Sequence, residues 1–272
     1  MPEKDVVVAT SAPVTVSSLV SDLRALGVAE GMTLLVHSAL SKLGWVAGGA
    51  QAVVLALEEA LGPDGTLVMP SFSTSLTEPL HWENPPVPET WWETIRAETP
   101  AYDPAFTPTR EMGSIADTFR AQPGTVRGDH PHVSFSARGP RAREIVCDHA
   151  LQAGLGEGSP LSRVYDRDGW ILLLGVNHAN NTSLHLCEYR ASYPSKKMTR
   201  QGAPVLVDGK RMWVEFEDLD WDDEDFPKLG ADYEREMKAA RVGRVGIGES
   251  RLTPQRPLVD YGVQWLERNR RV

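Results

Sequence analysis

A chain of 272 residues holds one large domain or two small ones, and 41% apolar with 24% charged residues is the balance of an ordinary soluble globular protein. The formal net charge of −9 argues against nucleic acid as a partner and favours a cationic one, and no run of about 18 apolar residues offers a membrane span. Two cysteines, Cys147 and Cys187, fit no metal or redox spacing and read as reduced, buried thiols of a cytoplasmic protein.

Residues 1–15 read as a loose tail without a signal-peptide pattern. Ser17 or Ser18 caps a short helix through Asp22 and Leu26, stopped by Gly27. Thr33-Leu34-Leu35-Val36 is a buried strand ending at His37-Ser38, followed by a polar, glycine-containing loop from Ser41 to Gly49. Gln51 to Leu61 has apolar residues at 53, 54, 57 and 61, the period of an amphipathic helix. Gly62-Pro63-Asp64-Gly65 ends it, and Thr66-Leu67-Val68-Met69 is the next strand. This β-loop-α-β unit marks a parallel sheet flanked by helices.

Residues 70–110 are dense in proline, with Trp82, Trp91 and Trp92 between, and read as a long irregular binding loop. Gly113 to Phe119 starts a helix, Arg127 to Ser136 is polar around His130-Pro131-His132, and Arg138 to His149 reads as a surface helix. Trp170 to Leu174 is too short for a free-standing helix and reads as a buried strand closed by Gly175. A polar elbow follows, and Asn181 or Thr182 caps the next helix. Asp208-Gly209 predicts a tight hairpin turn; the chain is then acidic from Glu217 to Asp225, and helical over Gly230–Ala240 and Tyr261–Arg271. There is no internal repeat.

His185 and Glu188, three apart, share one helix face. A neutral imidazole is the best side-chain base near pH 7, and a carboxylate partner raises its basicity and fixes its tautomer. The residues alone leave two other readings open: His185 as a helix-start histidine satisfied by a cap, and His178 in the elbow as the base. His178, His185 and Glu188 lack the H-E-x-x-H spacing of a zinc site, so no metal is expected. The loop from His37 to Gly49 suits a phosphate at the helix start but carries neither a Walker nor a dinucleotide fingerprint. The acidic stretch from Glu215 to Asp225 is either a solvated face or a cluster that receives ammonium groups and orients a histidine.

Three segments together resemble the aminoglycoside 3-N-acetyltransferase family: His37-Ser38 with Lys42-Leu43-Gly44-Trp45; Gly62-Pro63-Asp64-Gly65-Thr66-Leu67-Val68-Met69-Pro70-Ser71-Phe72-Ser73; and Leu174-Gly175-Val176-x-His178-x-x-Asn181-Thr182-x-Leu184-His185-x-x-Glu188. His130-Pro131 and Gly243 to Leu252 fit as well. The resemblance runs from about residue 17 and implies one domain over 1–272, a three-layer α/β/α sandwich with a central mixed sheet. That fold is not the common N-acetyltransferase one, and 74–110 would be its substrate loop.

The resemblance further implies acetylation of the 3-amino group of a 2-deoxystreptamine aminoglycoside by acetyl-CoA, an antibiotic-resistance activity, in a monomer or homodimer. The base is carried over to His185, with His178 ranked below it. Its carboxylate partner falls at Asp220 by counting on from the hairpin, with Glu217 and Asp218 as neighbours and Glu188 as second choice. His37, Ser38, Ser41, Leu43, Gly44, Val46, Ser71 and Ser73 would bind the acyl donor, and Glu78, Glu217 and Asp218 the acceptor, within a negative patch that includes Glu83, Asp222 and Asp223. Direct transfer without an acyl-enzyme is expected. The alternative is an acyltransferase of the same fold acting on another primary amine, such as a biosynthetic intermediate.

Overall fold

The structure, a computed structural model, describes residues 2–271. The expected loose tail is ordered instead. Helix α1 (Glu3–Ala9) buries Val6, and Val14 bridges to Val46, with Ala47 donating to the Val14 carbonyl at 2.8 Å. Burial of Val6 and Val14 offsets part of the cost of ordering the segment. Helix α2 (Val16–Leu26) opens with a capping box between Thr15 and Ser18, its N-cap Thr15 two positions before Ser17, and ends at Gly27 with φ 110°.

Strand β1 (Thr33–Ser38), helix α3 (Gly49–Leu61) and strand β2 (Thr66–Pro70) form the expected unit, with β1 and β2 parallel and Thr33 opposite Thr66. The insertion that follows holds short turns and one helix, α4 (Trp92–Glu98), before α5 (Gly113–Ala121). The polar stretch then makes two strands, β3 (Val126–Arg127) and β4 (Phe135–Arg138), antiparallel to each other, with β4 also antiparallel to β2. The expected surface helix over 138–149 shrinks to α6 (Ala142–Val146), whose Ala142, Ile145 and Val146 are buried.

Helix α7 (Pro160–Asp166) leads into β5 (Trp170–Leu174), parallel to β1 on its other side, and then α8 (Ser183–Arg190). Strands β6 (Met198–Val207) and β7 (Lys210–Leu219) form the hairpin, a sheet of its own. Its turn residues Asp208 and Gly209 sit at φ 50° and 74°, the left-handed pair that a tight hairpin turn requires. Helix α9 (Phe226–Met237), strands β8 (Arg241–Val245) and β9 (Gly248–Pro254), and helix α10 (Gln255–Asn269) complete the chain.

The main sheet runs β3-β4-β2-β1-β5-β9-β8, with three parallel strands in the middle and antiparallel ones at both edges. Successive side chains of the central strands alternate between two cores. Leu34, Val36, Leu172 and Leu174 meet α2, α3 and α5 through Leu23, Val53, Leu57 and Phe119. Leu35, Ile171 and Leu173 meet the helices of the other face through Ile145, Leu161, Leu184, Leu229 and Leu258. The result is a three-layer α/β/α sandwich with a mixed central sheet. The insertion packs on the hairpin: the Tyr102 N–H donates to the Pro204 carbonyl at 2.8 Å, and Arg211 Nε to the Thr99 carbonyl at 3.0 Å.

Candidate active site

The three parallel strands end at the same edge of the sheet, and the loops beyond β1, β2 and β5 leave a crevice there. Gly175, at φ 70°, turns the chain out of β5 where a Cβ would fall 2.8 Å from the Lys42 Cβ. Thr182 holds the N-cap position of the next helix without a side-chain cap bond, and Asn181 before it accepts at Oδ1 from the Ser183 N–H at 3.2 Å. This elbow aims His185 into a cavity of about 370 Å³ whose walls include His37, Ser38, Phe72, Glu111, Thr182, Asp223 and Phe226.

Within the site, His185 Nδ1 lies 2.7 Å from Glu188 Oε2. Glu188 is fully buried, and a buried carboxylate needs partners. Its second oxygen, Oε1, accepts from Arg270 Nη1 at 2.6 Å and from the Asp222 N–H at 3.0 Å. With Nδ1–H donated to the carboxylate, the imidazole keeps its lone pair on Nε2. The ring is bracketed by Phe226 at 4.9 Å and Trp221 at 5.6 Å between centroids. Trp221 is held in turn by its Nε1–H to the Tyr189 hydroxyl at 2.8 Å, which donates to Asp218 at 2.5 Å. His37 lies beside this pair, 3.2 Å from the Thr182 hydroxyl; burial and then the nearby His185 push its pKa down to about 3, so it stays neutral.

A second cavity of about 550 Å³ shares Ser38, Glu111 and Met112 with the first and is lined further by Ser41, Gly44, Trp45 and Val46. The first residues of α3 and α5, Gly49 and Gly113, face it. Exposed N–H groups at two helix starts suit a phosphorylated ligand. Among the described residues no group of three or more His, Cys, Asp or Glu is arranged to hold a metal ion.

Residues 35–267 match the family profile described as aminoglycoside 3-N-acetyltransferase. The chain belongs to the aminoglycoside 3-N-acetyltransferase family. It is 45% identical to the SPbeta prophage-derived aminoglycoside N(3')-acetyltransferase-like protein YokD of Bacillus subtilis, over 98% of this chain and 97% of that one. The crystal structure of YokD superimposes with a TM-score of 0.95, covering 98% of both chains. Aminoglycoside N(3)-acetyltransferase VII of Streptomyces paromomycinus is 37% identical over 94% of this chain and 92% of its own. AAC-IIIb, solved as a binary complex with CoASH, is 30% identical with a TM-score of 0.85, over 96% of this chain and 99% of that one.

Against this family background the structure sorts the residues singled out from the sequence. His37, Ser38, Ser41, Gly44 and Val46 line one cavity or the other. Leu43 does not: it is a fully buried core residue whose carbonyl accepts from the Ile247 N–H at 3.1 Å. Ser71 and Ser73 are also fully buried, because the Arg127 guanidinium gathers them, donating to the Ser71 carbonyl and the Ser73 hydroxyl, each at 2.7 Å.

His178 is buried with Nε2 3.0 Å from Glu234 and Nδ1 3.2 Å from the Asn181 amide, its ring pressed on the bare backbone of Gly230. Both nitrogens are taken, so His178 packs α9 onto the elbow. Asp220 turns away from His185 and pairs with Lys197 at 3.3 Å; the carboxylate on the imidazole is Glu188.

Asp218 is buried under Tyr189, Glu78 is buried against Arg96, and Glu217 is exposed on the hairpin. Glu83 and Asp222 are exposed; of the expected negative patch, Asp223 alone lines the first cavity. The lining of that cavity includes Phe72 before the insertion and Glu111 and Met112 after it, with no residue of 74–110. Glu111, Phe226 and Arg270 went unnoticed in the sequence. Glu111 carries a signal only in three dimensions, a φ of 61° that a non-glycine residue seldom adopts.

Proposed function

We propose that the protein transfers the acetyl group of acetyl-CoA to an aminoglycoside, at the 3-amino group of its 2-deoxystreptamine ring, with His185 as general base and Glu188 as its orienting carboxylate. One observation carries this reading: His185 gives Nδ1 to a buried carboxylate and stands at the wall of a cavity that adjoins a second one with two helix starts in it. The complex of the relative AAC-IIIb with CoASH supports acetyl-CoA as the donor. The acyl donor would lie along the second cavity, its thioester reaching the first near Ser38.

An ammonium group has no lone pair, so the acceptor must lose a proton to attack. One proton of the ammonium passes to solvent as the amine forms; His185 Nε2 takes a second as the nitrogen bonds to the thioester carbonyl carbon, and the resulting imidazolium gives it to the sulfur as the C–S bond breaks, releasing CoA as its thiol. Glu188 stabilises the imidazolium formed on the way. Neutral His37 adds no second positive charge against a cationic acceptor. Asp223 and Glu111, at the cavity wall, draw the cation in.

Transfer is direct in this reading. Cys187 is fully buried, with its thiol pushed up by burial, and Thr182 has only the weakly basic His37 as a neighbour. Intersecting lines in double-reciprocal plots for the two substrates are expected; parallel lines would contradict the direct route.

A second acceptor class, another primary amine, is favoured by one finding: Glu78 and Asp218, expected to receive ammonium groups, are engaged within the protein. Thiol release from acetyl-CoA with a panel of aminoglycosides and simple polyamines separates the two. Turnover confined to 2-deoxystreptamine aminoglycosides supports the first reading, and turnover confined to other amines overturns it.

A further inference from the structure

We propose that Arg270, just past the end of α10, is a positioning residue for acetyl transfer: its guanidinium fixes Glu188 so that one carboxylate oxygen is reserved for His185. The proposal rests on the reading of His185 and Glu188 as the working pair.

The geometry divides the labour of the Glu188 carboxylate. Oε2 faces His185, while Oε1 is bound by Arg270 Nη1 at 2.6 Å and the Asp222 N–H at 3.0 Å. Arg270 is itself nearly buried, at 9% exposure. Its remaining nitrogens hold Asp225 at 2.9 and 2.7 Å and the Asp222 carbonyl, and its plane lies over the Tyr193 ring at 5.1 Å. One planar fork therefore joins α8, the 222–225 loop and the end of α10. That loop carries Asp223 and runs into Phe226, both at the cavity wall. A lysine has one donor head and cannot reproduce the fork.

The arrangement also sets the charge around the reacting pair. Facing it are neutral His37 beside His185, Tyr193 and Lys196 near Glu188, Asp222 and Asp225 on the loop, and Arg270 between the carboxylates. Removing the fixed positive charge makes the pair hold its proton more tightly, whichever of the two groups carries it. The reactive form, neutral imidazole beside ionised carboxylate, is then confined to higher pH.

The test compares wild type, Arg270→Gln, Arg270→Lys and His185→Ala by thiol release from acetyl-CoA with an aminoglycoside acceptor across pH, with thermal unfolding and CoA binding as controls. In Arg270→Gln the acid limb of kcat/KM moves to higher pH by about one pH unit, and kcat at pH 7 falls by roughly tenfold or more, while KM for acetyl-CoA holds. In Arg270→Lys the limb stays and kcat falls less.

A limb unmoved in Arg270→Gln, with activity lost only in proportion to folded protein, overturns the proposal. If Arg270→Gln does not fold, Arg270→Lys decides: kcat equal to wild type, or a displaced limb, overturns it. Wild-type activity in His185→Ala removes the underlying reading instead, whatever the Arg270 variants show.

Discussion

Two regions of the molecule collect histidines, and they use them in opposite ways. At the carboxyl edge of the sheet, His185 gives one nitrogen to a carboxylate and stands at a cavity wall. Beneath the hairpin, His130, His132 and His149 pack on one another and on Phe216, with the His130 and His149 ring centroids 4.5 Å apart. Their polar partners are backbone groups: the carbonyls of Leu151 for His130, Gly202 for His132 and Gly154 for His149, with His130 Nδ1 also accepting from the His132 and Val133 N–H groups. Burial pushes His132 and His149 down to about 4, and burial with neighbouring His149 holds His130 well below the ordinary histidine range. A carbonyl accepts a hydrogen bond but cannot balance an imidazolium. A carboxylate can, and His185 adds to its carboxylate a second nitrogen at a cavity wall, whereas His178, which also meets a carboxylate, has both nitrogens engaged.

Among changes that leave every histidine in place, Glu188→Gln breaks this contrast most severely. It removes the charge that would support the imidazolium and leaves Arg270 with Asp225 as its ionic partner among the described residues. The rate of thiol release is expected to fall by about 10²- to 10⁴-fold. Urea unfolding is expected to show a loss of about 3–5 kcal/mol, the range for breaking a buried ion pair.

The hairpin cluster predicts a stability effect with the opposite chemistry. His37, His130, His132 and His149 are neutral when folded and regain an ordinary pKa of about 6.5 on unfolding. Near pH 5 unfolding therefore takes up about four protons, so stability is full above pH 6.5 and falls as pH drops toward about 4. Urea midpoints measured from pH 7 to pH 4.5 check the slope; a flat profile would mean that the cluster is wet. His149→Phe should lessen that slope by about one proton and leave kcat unchanged.

Smaller effects test the residues that the structure takes out of the site. Ser73→Ala loses one hydrogen bond to Arg127 and should cost about 1 kcal/mol, with KM for acetyl-CoA unaltered. Asp220→Asn breaks an exposed pair with Lys197 and should change stability by less than about 1 kcal/mol. Its kcat should equal that of wild type; a large fall would return Asp220 to the role of orienting carboxylate.

What could be read from the chain was local. The unit from β1 to β2, the strand and elbow before His185, and the Asp208-Gly209 turn each declare themselves through a short-range period or turn chemistry. The spacing of His185 and Glu188 is of the same kind, since one helix turn places them together whatever the rest of the chain does. The resemblance to the family supplied the roles.

What could not be read depended on distant partners. Strands β3 and β4 look too polar for a core sheet until Arg127 and Ser136 are paired with Ser71, more than fifty residues away. Counting on from the hairpin put the carboxylate at Asp220, because nothing nearby shows that this residue turns to Lys197. Arg270 lies far along the chain from Glu188, and only the return of α10 beside α8 brings it in.

The most direct measurement is thiol release at saturating acetyl-CoA by His185→Ala and His178→Ala, side by side with wild type. Both histidines touch a carboxylate, but His185 has no partner on Nε2 among the described residues and His178 has both nitrogens engaged. The expected result is a kcat lower by about 10²- to 10⁴-fold in His185→Ala and within about threefold of wild type in folded His178→Ala. The reverse order would contradict it and move the base to the elbow.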